Sequence, residues 1–277
     1  MASTALANDM ATTSNQFVQQ LLQVVRAFYQ DHTEIKASHG LDHIMRVYNH
    51  TCQAIAVHQP PLSPGEAAEV QAAALLHDVD DKKYFPHNKD YKNARSLLKQ
   101  CEAHLTTSSI DTILCMIAWV SCSTNGNRVP TAVQESGRYH LLIPRWADRL
   151  EAVGSVGVIR CYQYSIEHNR PLSSPDSPRA TTEAQVWQLA TPDRFENYLR
   201  QHETPVADDM ISHYYDKLLH VARPPPDVVR NAYLEAQGRA AAHELVQVCL
   251  DFGRTGVVNR TAIEQLATSL GMAIKAS

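Results

Sequence analysis

The sequence lacks the features that mark several large protein classes. No apolar run approaches the roughly 20 residues that a membrane-spanning helix requires. Residues 1–15 have neither the basic start nor the apolar stretch of a signal peptide. No run of Lys and Arg is dense enough to follow a nucleic-acid backbone, and the formal net charge is −4. We therefore expect a cytoplasmic protein that binds neither a membrane nor long nucleic acids.

Cysteine pairs, flexible linkers and strand patterns are also missing. The 6 cysteines are scattered with no C-x-x-C pair, which predicts reduced thiols. No Pro/Gly/Ser-rich linker divides the 277 residues, and no segment alternates polar and apolar residues as a strand does. We expect one domain over residues 16–252, preceded by a disordered segment at 1–15 and followed by a helical extension at 253–277 whose role is unassigned.

Apolar residues instead recur at the spacing of α-helices along most of the chain. This periodicity predicts an all-α fold, a compact helical bundle with additional C-terminal helices. The predicted helices cover residues 17–31, 41–57, 64–76, 88–104, 109–120, 137–164, 182–189, 194–201, 208–221, 227–252 and 259–271.

The third predicted helix has the clearest start and the most apolar composition. Ser63 and Glu66 form the pattern of a capping box, with Pro64 in the first turn. The run that follows is apolar on most sides, so we expect this helix to be central and closely packed. His77 and Asp78 come at its end, where a polar pair on a central helix needs a partner.

Four residues at or near the ends of apolar helices form a candidate metal site. They are His43, the adjacent pair His77-Asp78, and Asp148. Neutral imidazoles and carboxylates together suit Mn, Fe, Mg or Zn, whereas a structural zinc or Cu(I) site would use thiolates. No cysteine lies near these positions, and one divalent ion could join three helices here.

The segments around these residues resemble a known family. They are SHGLDHIMRV at 38–47, ALLHDV at 74–79, ADRLEAVG at 147–154, VIR at 158–160 and HYYDKLL at 213–219. The chain resembles the HD-domain phosphohydrolases, whose metal pattern is H…HD…D. It is most similar to a small bacterial branch whose characterised members are nucleoside triphosphate pyrophosphohydrolases, and the resemblance covers residues 17–252.

The resemblance implies a fold, a cofactor and an activity. It implies an all-helical protein with one divalent ion, Mn favoured and Mg, Fe, Zn, Ni or Co as alternatives, that hydrolyses nucleoside triphosphates to monophosphate and pyrophosphate. Another small phosphate mono- or diester as substrate and a di-iron oxygenase remain alternatives. Trp146 stands where the branch has aspartate, which keeps a catalytically silent, metal-stabilised regulatory protein open as well.

Further polar residues near the proposed ligands are candidates for catalysis. His39 could protonate a leaving group or hold a phosphate, and a capping histidine is the alternative. Asp81 could orient water and Lys83 could offset phosphate charge, against the alternative of a solvated turn.

We expect the partner to be a small phosphate-containing substrate, namely a nucleotide. Whether the chain forms a homodimer is left open. Arg46 could grip phosphate oxygens or form a structural ion pair. His213 and Lys217 share a helical face in the last similar segment, and we predict that they contact phosphate.

Overall fold

The computed structural model describes residues 2–36, 39–101, 105–200, 209–272 and 274, and these residues form helices and no strand. The all-α prediction is confirmed. In chain order the helices are α1 (Ala2–Asp31), α2 (Leu41–Ala56), α3 (Pro64–Leu76), α4 (Lys92–Lys99), α5 (Thr107–Val120), α6 (Cys122–Asn125), α7 (Thr131–Ser136), α8 (Ile143–Leu150), α9 (Gly154–Glu167), α10 (Glu183–Leu189), α11 (Pro192–Leu199), α12 (Met210–His213), α13 (Leu219–Ala222), α14 (Pro226–Val229), α15 (Ala232–Thr255) and α16 (Arg260–Ser269). A 3-10 turn at Tyr139–Leu142 precedes α8, and a π-helical turn at Tyr214–Leu218 joins α12 to α13.

The chain forms two compact units, each assembled from separate stretches of sequence. Unit 1 comprises Met1–Ser121, Val129–Asp148 and Val229–Leu234, and unit 2 comprises Cys122–Arg128, Arg149–Val228 and Glu235–Ser277. The sequence suggested one domain because no linker marks this division. The chain passes from one unit to the other inside two helices, within α8 and near the start of α15.

The core of unit 1 is organised around α3, which packs against α1, α2 and α5. Every residue from Ala72 to Leu76 is fully buried, as predicted for a central helix. The predicted capping box is present: the Ser63 hydroxyl accepts from the Glu66 amide at 3.3 Å, and Glu66 accepts from the Ser63 amide at 3.1 Å. The capping box therefore fixes the start of α3, and the buried C-terminal half of the helix leads to His77.

Unit 2 has its own apolar core, in which Tyr214, Tyr215, Leu245 and Cys249 are completely buried. The segment after residue 252 belongs to this core, because α16 packs against α9. Ile263 is buried, and the Tyr162 hydroxyl donates to Glu264 at 2.8 Å. The C-terminal extension is therefore a packing helix of unit 2.

Three predicted helices are interrupted or shortened by residues whose backbone has the left-handed conformation, with positive φ. The helix predicted over 137–164 is divided, because Gly154 has φ +66 and begins α9 after α8 has ended. The helix predicted over 227–252 breaks at Arg230, φ +50, and Asn231 then caps α15 through the Leu234 amide. The helix predicted over 88–104 begins only at Lys92, after two positive-φ residues.

The N-terminal prediction is corrected as well. We expected disorder over 1–15, but α1 begins at Ala2, since the segment contains no glycine or proline that would stop the helix. Some predicted helix ends, at His104, Gln201 and Asp208, lie outside the described residues, as does Ser38. Among the helices of the described residues, none is long and apolar enough to cross a membrane.

Candidate metal centre

The end of α3 presents His77 with a defined tautomer. His77 occupies the C-cap position of this helix and is buried. Its Nδ1 lies 2.9 Å from the carbonyl oxygen of Ala74. A carbonyl oxygen only accepts, so Nδ1 carries the proton in the neutral ring. The lone pair of His77 is therefore on Nε2, the atom that faces the other candidate ligands.

His43 faces His77 from the neighbouring helix. It lies in the first turn of α2, is 4% exposed, and places its Nε2 3.2 Å from the Nε2 of His77. The other ring nitrogen of His43, Nδ1, is buried and has no hydrogen-bond partner among the described residues. His43 therefore lies on the buried face of α2.

Two carboxylates complete the set, which we call the primary cluster: His43, His77, Asp78 and Asp148. Asp78 Oδ2 lies 3.5 Å from His43 Nε2 and 3.6 Å from His77 Nε2. Asp148, from α8, places Oδ1 at 3.3 Å and 3.5 Å from the same two nitrogens. His43, His77 and Asp148 offer atoms that all lie within 4.8 Å of one another. Residues from α2, α8 and the end of α3 thus converge.

The electrostatics of the primary cluster favour a positive charge at its centre. Burial disfavours a protonated His77, but Asp78 and Asp148 outweigh this effect and raise its pKa to about 9. Burial alone would raise the pKa of Asp148, yet hydrogen bonds from His43 and His77 hold it well below its usual range. Two imidazoles and two carboxylates in this arrangement fit Mn, Fe, Zn or Mg.

The three predicted catalytic residues meet beside the primary cluster. His39 Nε2 lies 3.4 Å from Asp81 Oδ2 and 3.1 Å from the ammonium of Lys83. The Lys83 amide also donates to Asp81 at 2.9 Å. His39, Asp78 and Asp81 form a second group whose ligand atoms all lie within 4.8 Å, and we call it the adjoining cluster. Asp78 belongs to both clusters.

Part of the reasoning about His39 is corrected by the structure. A capping histidine was the alternative for this residue, but α2 begins at Leu41 with Gly40 as its N-cap residue. His39 therefore precedes the helix. Its ring nevertheless stays near that of His43, with centroids 6.3 Å apart.

Sequence reasoning missed two tyrosines beside the adjoining cluster. The Tyr29 hydroxyl, on α1, is buried and has no hydrogen-bond partner in the part of the chain that the structure describes. Asp78 and Asp81 are among the charges that act on it. Tyr84 packs its ring 5.9 Å from that of His39. Tyr29 continues the apolar stripe of α1, so its sequence position indicates only a core residue.

Asp80, between the two clusters in sequence, has a structural role. Its carboxylate accepts hydrogen bonds from the amides of Asn93 and Ala94, at 3.0 Å and 2.9 Å, and from the Asn88 side chain at 2.7 Å. These bonds satisfy amide groups at the start of α4. The three aspartates at 78, 80 and 81 thus have different surroundings.

Arg46 and Trp146 were also singled out from the sequence. Arg46 is exposed on α2, three residues after His43. Trp146 is 3% exposed, with the guanidinium of Arg145 5.6 Å from its ring centroid, so it is enclosed by protein. Both belong to unit 1, as do all residues of the two clusters.

His213 and Lys217 belong to unit 2, where they lie at the π-helical turn. The Lys217 ammonium sits 5.2 Å from the ring centroid of Tyr198, and the His213 ring packs against the same tyrosine at 5.4 Å. Burial, then the charges of Lys217 and Arg170, lower the pKa of His213 to about 3. Their predicted contact with phosphate stays a prediction.

Fold and site together define an all-α protein with a convergent histidine–aspartate cluster suited to a divalent cation. The sequence matches no protein-family model. It is 34% identical over 238 residues to the uncharacterized protein L803 of Acanthamoeba polyphaga mimivirus, a match that covers 82% of this chain and 93% of that protein. The chain therefore belongs to the same family as L803.

One solved structure supports the fold. A Lactobacillus plantarum protein, determined as a structural genomics target, has a TM-score of 0.54 to this chain. The match covers 85% of this chain and 96% of that one at 20% sequence identity. A likeness at this level of identity supports the all-α architecture and carries no information about function.

Proposed function

We propose that the chain is an HD-domain phosphohydrolase that hydrolyses nucleoside triphosphates to monophosphate and pyrophosphate, with Mn as the favoured ion, in the cytoplasm. One observation carries the proposal: two buried imidazoles and two partly exposed carboxylates converge, with distances of 3.2–3.6 Å from the imidazole nitrogens. A buried cluster with two negative charges is costly without a compensating cation.

The residues of the primary cluster would hold the ion. A bound divalent cation polarises a phosphoryl oxygen and lowers the pKa of water towards about 7, which supplies a hydroxide nucleophile near neutral pH. The His77 proton on Nδ1 is held by Ala74, which keeps the ring oriented with Nε2 towards the ion. Asp78 and Asp148 provide the anionic ligands, from the end of α3 and from α8.

The residues beside the ion would handle substrate charge and protons. Lys83 has an exposed side chain whose ammonium can offset negative charge on a phosphate. His39 is placed to pass a proton to a leaving oxygen, and its Nε2, then without a proton, accepts a hydrogen bond from that ammonium. Asp81, 3.4 Å from His39, can orient its ring or a water molecule. Arg46 remains a proposed phosphate contact.

The test is product release by metal-stripped protein that is re-supplied with Mn, Mg, Fe or Zn. Nucleoside mono-, di- and triphosphates are the substrates, and phosphate and pyrophosphate are measured separately. We expect Mn-dependent pyrophosphate release from triphosphates, abolished by Asp78→Ala with the helical circular dichroism unchanged. Asp111→Ala, which alters an exposed aspartate on α5, is the matched control and should retain full activity.

Two outcomes would overturn the proposal. Phosphate release from another small ester, with every nucleotide inert, would move the activity to a phosphomonoesterase or phosphodiesterase. Bound metal without turnover on any of these substrates would leave a metal-stabilised regulatory protein. In either case the metal site would stand and the nucleotide substrate would not.

A further inference from the structure

Aromatic side chains from two segments of unit 1 gather beside the adjoining cluster. The end of α1 contributes Phe28 and the segment after it His32, whose rings stack with centroids 4.2 Å apart. The turn after α3 contributes Phe85, whose ring centroid lies 5.3 Å from that of His32 and 5.9 Å from that of Phe28. Tyr84 directly precedes Phe85, and its ring lies 5.9 Å from that of His39. We call His32, Tyr84 and Phe85 the aromatic patch.

Hydrogen bonds of the backbone fix the aromatic patch next to the adjoining cluster. The carbonyl oxygen of Asp81 accepts from the amides of Tyr84 and Phe85, at 3.0 Å and 2.9 Å. The Lys36 amide donates to the Tyr84 hydroxyl at 3.2 Å, which ties the segment after α1 to the same turn. The two rings of the turn therefore keep a set position relative to Asp81.

The side chains of the aromatic patch are only partly covered by protein. His32, Tyr84 and Phe85 are each half-buried, whereas Phe28 is 9% exposed. Partly exposed rings leave aromatic surface on which a planar ligand can stack. The Nδ1 of His32 lies 2.8 Å from the carbonyl oxygen of Phe28, so the neutral ring has its lone pair on Nε2. The aromatic patch thus offers stacking surface and one hydrogen-bond acceptor.

A row of rings connects the primary cluster to the aromatic patch. The ring of His43 lies 5.2 Å from that of His77 and 6.3 Å from that of His39. Tyr84 continues the row on the other side of His39. Lys83, which directly precedes Tyr84, is exposed and has its ammonium 3.1 Å from His39 Nε2. A ligand with its phosphates between the ion and Lys83 can therefore reach the aromatic patch with its other end.

We propose that the aromatic patch binds the base of a nucleoside triphosphate whose phosphates lie at the primary cluster. The inference rests on the proposed function, because the ion and Lys83 place the phosphates. A nucleobase matches both features of the patch. Its planar face stacks on aromatic rings, and an N–H group at its edge donates to the Nε2 of His32. A phosphate ester without an aromatic group would use neither.

The chemistry of stacking determines which selectivity this site gives. Every base has an aromatic face, so stacking favours nucleotides over phosphates that lack a base but discriminates weakly among the bases. The base is remote from the reacting phosphorus, and its contacts are equal in the ground state and the transition state. Loss of such contacts raises KM and leaves kcat unchanged.

The experiment compares adenosine triphosphate with ribose 5-triphosphate, which carries the same phosphates without the base, as substrates of the full chain supplied with Mn. We expect the KM of the wild type to be about ten-fold lower for adenosine triphosphate. Phe85→Leu keeps an apolar side chain but removes the ring. It should raise the KM for adenosine triphosphate about ten-fold and leave kcat and the KM for ribose 5-triphosphate unchanged. Phe85→Tyr retains a ring and should keep the wild-type values.

Tyr164→Leu is the matched control, since Tyr164 is an exposed aromatic residue of unit 2 and its loss should change neither KM. Equal KM values of the wild type for the two substrates would overturn the base site and leave the proposed function intact. An equal rise of both KM values in Phe85→Leu would also overturn it, because the ring would then act only through the fold. Hydrolysis of neither substrate would remove the proposed function together with this inference.

Discussion

At the residue scale, the primary cluster depends on the electrostatic coupling between His77 and Asp148. His77 Nε2 lies 3.5 Å from Asp148 Oδ1, and the two carboxylates of the cluster raise the pKa of His77 to about 9 despite burial. In metal-stripped protein at neutral pH, His77 is therefore the imidazolium cation, with a second ring proton on Nε2. A divalent ion would displace that proton and would balance both carboxylates, whereas the proton offsets only one of them.

Replacement of Asp148 by Asn should remove this balance. We expect Asp148→Asn to lower the pKa of His77, visible in an NMR titration of the imidazole. It should also weaken Mn binding by at least about 100-fold, because even loss of an outer partner of a metal ligand costs 10–100-fold. Asp111→Asn is the control. An unchanged Mn affinity would show that Asp148 is not a ligand.

At the element scale, α3 connects the core of unit 1 to the primary cluster, and its capping box fixes where it begins. Ser63 and Glu66 satisfy two amide groups that the helix would otherwise leave open. Ala72 to Leu76 fill the core, and His77 follows directly. The position of this candidate metal ligand therefore depends on an intact helix.

Loss of the cap should lower the stability of the protein measurably. We expect Ser63→Ala to reduce the free energy of unfolding by about 1 kcal/mol, as urea titration would show. Ser108→Ala changes an exposed serine that caps no helix and should stay within about 0.5 kcal/mol of the wild type. Equal effects of the two substitutions would contradict the role of the capping box.

His213, which directly precedes the π-helical turn of unit 2, is a histidine whose protonation opposes folding. Burial is the main cause that lowers the pKa of His213 from 6.5 to about 3. The unfolded chain then binds a proton that the folded chain does not bind between these pH values. Stability should fall, by up to about 1.4 kcal/mol per pH unit, as pH drops through this window.

His213→Gln should make the loss of stability below pH 6.5 less steep. The measurement is the free energy of unfolding in urea at several pH values from neutral to acid. His87→Gln, at an exposed histidine, is the control and should leave the wild-type profile unchanged. Parallel profiles for His213→Gln and the wild type would contradict a neutral His213 in the folded state.

α15 contains a glycine that allows a close approach of the backbone. A Cβ at Gly253 would overlap the carbonyl oxygen of Ala180, which cannot easily move. We expect Gly253→Ala to lower the free energy of unfolding by about 1–3 kcal/mol. Gly65→Ala, in the first turn of α3 with nothing within 4 Å, should be neutral or stabilising. The two substitutions are compared by thermal unfolding.

Much of this element structure could be predicted from the sequence, and the breaks inside predicted helices share one cause. The start of α3, the burial of His43 and the all-α class follow from capping residues and apolar periodicity. The breaks at Gly154 and Arg230 were missed because a single positive-φ residue changes the chain direction without altering the apolar pattern. The apolar pattern of a sequence therefore indicates which residues are buried better than it indicates where the chain changes direction.

The candidate site, like the fold, could be predicted from the sequence only in part. The four residues of the primary cluster were predicted, because each carries metal-ligand chemistry at the end of an apolar helix. Tyr29 was missed, since only tertiary packing brings α1 to the adjoining cluster. The role of Asp80 at the start of α4 was also missed, because three aspartates within four residues look equivalent in sequence.

At the scale of the whole molecule, both clusters belong to unit 1 although their residues span positions 39 to 148. Unit 2 holds the C-terminal extension and the π-helical turn with His213 and Lys217. An ion at the primary cluster would bind residues of α2, α8 and the end of α3 only when unit 1 is folded. Metal binding should therefore be linked to the stability of this unit.

The most direct test of the central claim measures bound Mn and pyrophosphate release together, in metal-stripped protein that receives increasing Mn. We predict that the rate of nucleoside triphosphate hydrolysis rises in proportion to Mn bound at the primary cluster, and that His77→Ala has neither the bound ion nor the activity. Full activity in stripped protein, or in His77→Ala, would contradict the assignment of this cluster as a metal-dependent catalytic site.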